Sequence, residues 1–273
     1  MKKSEKYFLL VSLLICAITG IIFVPAIPQN ETYHNFADKR VILEVANFMD
    51  VISNVPFVIV GIIGITFCAK KLFKKEERTI FLCYFVFFCG VFLTGFGSAF
   101  YHLSPTTSSL VWDRLPMTIA FTSLFSAIVS ERINKKLGFG LLFPLLGVGV
   151  CSIAYWYVSE CYGAGDLRFY ALVQFVPLTF IPIIIMLFPS KYTRGKDLLL
   201  AVGFYGLSKI FETLDKQIFE LLGGIVSGHT LKHLSAAFAI YLLLRMLKRR
   251  ELKRPKNILL QKNFQKNQGI YEK

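Results

Sequence analysis

Acidic residues are scarce in this sequence, in which 17 aspartates and glutamates stand against 31 lysines and arginines, for a net charge of +14. A basic chain often has a nucleic acid as its partner. Here, however, the basic residues cluster in short segments between apolar runs, and no aromatic residues are interleaved with them as single-strand binding requires. This distribution argues against nucleic acid and is typical of membrane topology signals.

Cysteines are few and scattered. Nearly all of them lie inside apolar runs, with no spacing typical of a disulfide framework or a thiolate zinc site. They are Cys16, Cys68, Cys83, Cys89, Cys151 and Cys161. We interpret them as small apolar packing residues.

Apolar residues are abundant: they make up 55% of the chain, and the mean hydropathy is +0.56. Runs of about 20 apolar residues recur, long enough to cross a hydrocarbon core of roughly 30 Å. Transmembrane strands would alternate apolar and polar residues, and these runs do not. The sequence therefore predicts an all-α, multi-pass membrane protein without a soluble domain.

The first apolar run follows a short basic start and ends near Ala26. It is long for a signal peptide, and Ala26-Ile27-Pro28 is a poor cleavage site, so we expect residues 1–26 to remain as an N-terminal transmembrane helix. Residues 27–249 are predicted to form the main membrane domain, and residues 250–273 a basic cytoplasmic tail. The seven further apolar segments are residues 47–69, 79–102, 114–130, 137–158, 167–188, 197–217 and 228–247.

Basic residues also predict the orientation. With a cytoplasmic N-terminus and eight spans, 24 of the 31 lysines and arginines fall in cytoplasmic segments, as the positive-inside rule requires. Both termini are then cytoplasmic, in the plasma or inner membrane if the source is bacterial. His102, Asp113, His229 and His233 all fall on the extracytoplasmic side.

Histidines number only four, and His229 and His233 are spaced i,i+4, which places both on one face of a helix. Two such imidazoles suit one zinc ion, and His102 is a candidate third ligand that leaves the fourth position open, as in catalytic sites. The alternative is three interfacial histidines that form ordinary helix–helix hydrogen bonds.

Two further polar residues accompany His102. Ser98 lies one helical turn before it, and Asp113 follows after a short polar loop. Asp113 suits a general acid or base, and the alternative is that it caps the following helix or pairs with Arg114. Ser98 could instead be a small residue that permits close helix packing.

These motifs, Gly-Ser-x-x-Tyr-His ending at His102, Trp-Asp-Arg-Leu-Pro-Met beginning at Trp112, and His229-x-x-x-His233, resemble those of the alkaline ceramidases. Their superfamily of seven-helix zinc-dependent membrane hydrolases also includes progestin/adiponectin-type receptors and GPI-lipid remodelling hydrolases. The resemblance covers residues 47–249. It implies a seven-helix ceramidase-like bundle, here with one extra N-terminal helix, for eight spans.

The resemblance also implies roles. Zn²⁺ would be held by His102, His229 and His233, Asp113 would assist the attacking water, and Ser98 would stabilise the carbonyl oxygen. The substrate implied is a membrane lipid of the ceramide type. The family's calcium-binding segment is acidic, whereas here it offers only Asp38 and Glu44, too few oxygens for a calcium cage.

Other polar residues are expected to support this site. Asn47, Ser53 and Asn54 form a stripe that should face the bundle interior, as a structural network or a contact for the substrate. Glu212 and Asp215 are candidate acceptors for the second N–H of a ligating imidazole.

The sequence thus predicts a zinc-dependent lipid amide hydrolase that converts ceramide or a related N-acyl lipid to a fatty acid and an amine base. One alternative is a hydrolase of phospholipid or other lipid esters from the same superfamily. The other is a non-enzymatic membrane receptor or lipid-binding protein with a structural zinc.

Overall fold

The fold was examined in a computed structural model, which describes residues 1–74 and 77–253. The predicted basic tail lies outside the described residues from position 254 onward. Helices make up 78% of the described residues, which contain two isolated β-bridges but no strand. The all-α prediction is confirmed.

Ten α-helices follow one another along the described residues. They are α1 (Lys3–Phe23), α2 (Phe48–Ile52), α3 (Val55–Leu72), α4 (Arg78–Leu103), α5 (Thr107–Arg132), α6 (Lys135–Cys161), α7 (Arg168–Leu187), α8 (Gly195–Thr213), α9 (Asp215–Leu221) and α10 (Gly228–Arg249). A single 3-10 turn, Glu31–His34, lies in the segment between α1 and α2.

Two of the predicted apolar segments are interrupted. Residues 47–69 form α2 and α3 with a break at Ser53 and Asn54, and Pro56 lies in the first turn of α3, where its missing N–H has no helical partner to lose. The segment 197–217 ends as α8 at Thr213, and α9 follows at once. Both breaks lie at the end of the bundle where the histidines are.

The helices pack mainly against their sequence neighbours. Helix α4 lies between α3 and α5, α5 also packs on α6 and α7, and α10 packs on α8 and α3. Helix α1 lies outside this bundle against α7 and has no buried residue. One of its contacts is made by Tyr7, whose ring stacks on the ring of Phe188 with 5.7 Å between the centroids.

Six spans are long and apolar enough to cross a membrane, which is compatible with a multi-pass membrane protein. They are α1, α2 with α3, α4, α6, α7 and α10. Helices α5 and α8 are 26 and 19 residues long but are not among them. Both carry several charged residues, so the predicted count of eight spans is not confirmed.

The beginning and end of the described chain lie at the same end of the bundle. The Lys6 ammonium donates to the carbonyl of Leu187 at the end of α7, and the Thr193 N–H donates to the carbonyl of Glu251. His102, in the last turn of α4, and His229, in the first turn of α10, lie at the opposite end.

Candidate metal centre

Three histidines converge where α4 ends and α10 begins. Nε2 of His102 lies 3.2 Å from Nε2 of His229, and the ring of His233 lies 5.0 and 4.8 Å from theirs, centroid to centroid. One nitrogen from each of the three rings lies within 4.8 Å of the others. The helical spacing of His229 and His233 brings both rings to the face that meets the end of α4.

The group fits a metal ion. All three side chains are buried, and among the described residues Nε2 of His233 has no hydrogen-bond partner. Buried polar atoms without partners are rare and call for an explanation. Two nitrogens bound at about 2.05 Å to a tetrahedral zinc lie roughly 3.3 Å apart, close to the observed 3.2 Å between His102 and His229.

The break between α2 and α3 orients His233. Ser53 donates its only proton to the carbonyl of Asp50 at 3.0 Å, and its oxygen lies 2.7 Å from Nδ1 of His233. Ser53 must therefore accept the Nδ1–H of His233, which leaves Nε2 with a free lone pair. A hydrogen bond to the second nitrogen is the usual way in which a ligating histidine is oriented.

Aspartates anchor the start of α10. Asp215 accepts the backbone N–H of His229 at 2.8 Å and that of Ala37 at 2.9 Å, and Asp50 accepts the Thr230 hydroxyl at 2.9 Å. The expectation that Asp215 would accept an imidazole N–H is wrong, because its carboxylate reaches the backbone of His229 instead. Its place there depends on Gly228, since a Cβ on this residue would lie 2.4 Å from the Phe211 carbonyl oxygen.

Glu212 binds lysines rather than a histidine. Its carboxylate pairs with Lys209 at 2.7 Å and with Lys232 at 2.8 Å, so it is not the predicted imidazole acceptor either. The Lys232 ammonium in turn lies 3.3 Å from Nε2 of His229. The sequence reasoning missed Lys232 as a site residue, although it lies three residues after His229 and hence on nearly the same helix face.

Asp113 lies in the second turn of α5. Thr106 caps this helix together with Ser109, so the alternative that Asp113 is the N-cap is wrong. No ion pair joins Asp113 to Arg114 among the described residues. Ser98 approaches Asp113 closely enough for their side chains to interact. This approach needs Gly97, where a Cβ would lie 2.0 Å from the Trp112 carbonyl oxygen.

The loop between α1 and α2 covers the histidines. The buried ring of Phe36 lies 4.7 Å from that of His102 and 4.4 Å from that of His229. Nδ1 of His34 lies 2.8 Å from the Tyr101 hydroxyl, and burial lowers the pKa of His34. His34 is thus part of the cover and not of the metal group.

An apolar cavity leads from this centre into the bundle. Its volume is about 1070 Å³ including its open mouth. Ser98, Asp113, Lys232 and His233 line its polar end. The remaining wall comes mainly from apolar side chains of α4, α5, α7, α8 and α10. The arrangement joins a candidate metal centre to a space suited to a hydrocarbon chain.

A family model of ceramidases matches residues 34–264, which is most of the chain. No curated protein and no solved structure matches the chain significantly. The matched region holds the histidines, Ser98 and Asp113, and the resemblance seen in the motifs is confirmed. The chain belongs to the ceramidase family.

Proposed function

We propose that this chain is a zinc-dependent hydrolase of lipid amides, which acts on ceramide or a related N-acyl lipid and releases a fatty acid and an amine base. Membership of the ceramidase family implies an amide hydrolase. The observation that carries the proposal is a group of three buried histidines, one of which, His233, lines the polar end of an apolar cavity together with Asp113 and Ser98.

His102, His229 and His233 would hold the metal, with Ser53 fixing the orientation of His233. A zinc ion bound there supplies a Lewis acid that acidifies water and polarises a carbonyl group. Three protein ligands are the number that catalytic zinc sites use, whereas structural sites normally have four. The donor set therefore favours the enzyme over a receptor with a structural zinc.

Asp113 and Ser98 take the remaining roles. The carboxylate of Asp113 accepts a proton from the attacking water and returns it to the leaving amine, a contribution of about 10²–10⁴-fold for a positioned acid or base. The Ser98 hydroxyl donates to the carbonyl oxygen as negative charge develops there, and one such donor contributes about 3–4 kcal/mol. Both side chains are buried, which keeps water from weakening these interactions.

The acyl chain would extend along the apolar cavity. Its wall runs along α4 from Ser98 to Phe87, a distance of about 16 Å at 1.5 Å per helical residue. Because apolar side chains line almost all of this cavity, its interior offers a long hydrocarbon chain an environment like that of the bilayer.

The test is zinc analysis of the purified protein together with hydrolysis assays on ceramide and on a phospholipid ester with the same acyl chain. We expect ceramide to be cleaved and the ester to be cleaved much more slowly. His233→Ala should lose both metal and activity. Asp113→Asn should keep the metal and lose turnover by at least about 100-fold.

His34→Ala serves as the matched control for metal content, because His34 is the one histidine outside the cluster. Wild-type protein that binds no zinc, or that keeps full ceramide hydrolysis after His233→Ala, contradicts the proposal. A clear preference for the ester would instead support the alternative function, a hydrolase of lipid esters.

For the membrane topology we propose cytoplasmic termini, the histidine end on the extracytoplasmic side, and α1 as an added span before a ceramidase-like domain of residues 27–249. The concentration of basic residues at the helix ends opposite the histidines supports this orientation, as at Arg78, Arg132 and Arg249. Reporter fusions after residues 105 and 165 should report an extracytoplasmic position, and fusions after residues 75 and 134 a cytoplasmic one. The reverse pattern refutes the orientation.

A further inference from the structure

Arg114 is a buried cation that has no polar partner in the part of the chain that the structure describes. Its side chain is only 6% exposed, and its guanidinium carbon lies 4.5 Å from the ring centroid of Trp156, 5.0 Å from that of Tyr170 and 5.5 Å from that of Tyr33. None of its nitrogens donates a hydrogen bond to a described residue, and Nη1 is fully buried. Three rings from three different elements thus hold the group in place.

Aromatic rings do not satisfy the hydrogen-bond donors of a guanidinium group. They attract the cation through their faces, but its five N–H groups point outward in the guanidinium plane and require acceptors. A buried charge without acceptors is costly to the fold. A ligand that supplies oxyanion acceptors would remove that cost, and the planar fork of arginine matches phosphate and carboxylate in particular.

Arg114 borders a second cavity of about 730 Å³ including its mouth. Its other charged lining residues are Asp113, Lys209, Glu212 and Lys232. Together these groups carry three positive and two negative charges. Glu212 already binds both lysines, and Asp113 is the proposed proton carrier, so the surplus positive charge falls on Arg114.

The two cavities meet at the centre. Asp113, Met117, Lys209 and Lys232 line both of them. A lipid amide whose carbonyl lies beside Asp113, with its acyl chain in the apolar cavity, would direct its amine half towards Arg114.

We propose that this second cavity is an anion subsite in which Arg114 binds a phosphate or carboxylate on the amine half of the substrate. The preferred substrate is then an N-acyl lipid with an anionic head group rather than a neutral ceramide. This inference rests on the proposed function and narrows its substrate class.

The kinetic test compares three substrates with one acyl chain: ceramide, ceramide 1-phosphate and N-acylserine. Wild-type protein should show a kcat/KM at least tenfold higher for an anionic lipid than for ceramide. In Arg114→Gln, the ratio of anionic to neutral kcat/KM should fall about 10- to 100-fold, because a hydrogen-bonded charge pair is lost. Arg114→Lys keeps the charge without the fork and should retain part of the ratio.

The matched control is Lys216→Gln, which removes an exposed positive charge that lines neither cavity and should leave the ratio at the wild-type value. A ratio unchanged in Arg114→Gln, or lowered as much in Lys216→Gln, overturns the subsite.

A binding test separates this idea from the proposed function. In the metal-free His233→Ala variant, hexadecyl phosphate should raise the unfolding temperature, whereas hexadecanol and inorganic phosphate at the same concentration should not. Adding Arg114→Gln should abolish the effect. If wild-type protein cleaves none of the three lipids but this Arg114-dependent stabilisation is seen, the hydrolase proposal fails and the subsite stands. Equal stabilisation by inorganic phosphate alone, or no Arg114 dependence in either test, refutes head-group binding.

Discussion

Replacing Ser53 by alanine should weaken metal binding without removing a metal ligand. The Ser53 hydroxyl accepts the Nδ1–H of His233 at 2.7 Å while it donates to the carbonyl of Asp50 at 3.0 Å. Alanine removes the acceptor, so the imidazole can rotate and can exchange its proton between the two nitrogens. The tautomer protonated at Nε2 cannot bind a metal through that atom.

The expected size follows from the geometry. His233 is 3% exposed and Ser53 is 4% exposed, so water can replace the lost acceptor only if the site opens. Loss of such an oriented hydrogen bond typically weakens metal affinity 10- to 100-fold, which corresponds to about 1.4–2.8 kcal/mol. Activity measured in excess zinc should recover in part, because the three imidazoles are still present.

The assay is competition for zinc between the purified protein and a chelator of known affinity, with hydrolysis followed in parallel. Ser152→Ala is the control, because Ser152 is as buried as Ser53 but donates to the Gly149 carbonyl of its own helix, away from the histidines. An unchanged zinc affinity in Ser53→Ala would refute the claim that this hydroxyl orients His233. An equal loss in Ser152→Ala would show that the effect is a general loss of stability.

Three further predictions concern the parts that position the centre. Phe36→Ala removes the ring that covers His102 and His229; histidines of metal-free protein should then react faster with diethyl pyrocarbonate, and an unchanged rate would contradict the covering role. Gly97→Ala forces a Cβ to within 2.0 Å of the Trp112 carbonyl oxygen and should destabilise the protein by about 1–3 kcal/mol, measured by thermal unfolding, whereas Gly140→Ala, which meets nothing within 4 Å, should not. The Arg168 guanidinium lowers the pKa of Asp166 to about 2; this pair therefore stabilises the fold above about pH 4 and its contribution is lost as the pH falls towards 2. In Asp166→Asn, the unfolding temperature should therefore depend less on pH between about 4 and 2 than it does in wild type. If the two proteins lose unfolding temperature equally over this pH range, the ion pair does not contribute to stability.

The sequence was sufficient to predict that His229 and His233 lie together, because the pattern that indicates it is local. An i,i+4 pair of histidines needs only a helix to share a face, and α10 supplies it. His102 could be named only as a candidate third ligand on residue type, since no spacing connects it to residues more than 120 positions later, and the family resemblance strengthened that assignment. Apolar run lengths likewise predicted most helices, because a span of lipid sets their length.

The support of the site was not predictable in the same way. Ser53 reaches His233 only because the chain breaks between α2 and α3, and run length contained no signal for that break. Glu212 and Asp215 were assigned to imidazoles on charge and depth alone, yet Lys232 and the backbone of His229 lie closer to them. Partners of this kind depend on the rotation of each helix about its axis, which hydropathy does not specify.

The two long helices that lack the composition of a membrane span are those that contribute most of the charges at the centre. Helix α5 carries Asp113 and Arg114, and α8 carries Lys209 and Glu212. Charged groups in a bilayer are tolerated when they face a protein interior or a polar cavity. All four of these groups line the second cavity, the one that Arg114 borders. Because these groups could not face lipid at acceptable free energy, the low hydropathy of α5 and α8 is the expected consequence of placing charged groups around a cavity within a helix bundle. Substituting leucine for Lys209 and Glu212 together would raise the hydropathy of α8, yet we expect it to lower activity, because Lys232 would lose Glu212, its ion-pair partner at the cavity wall.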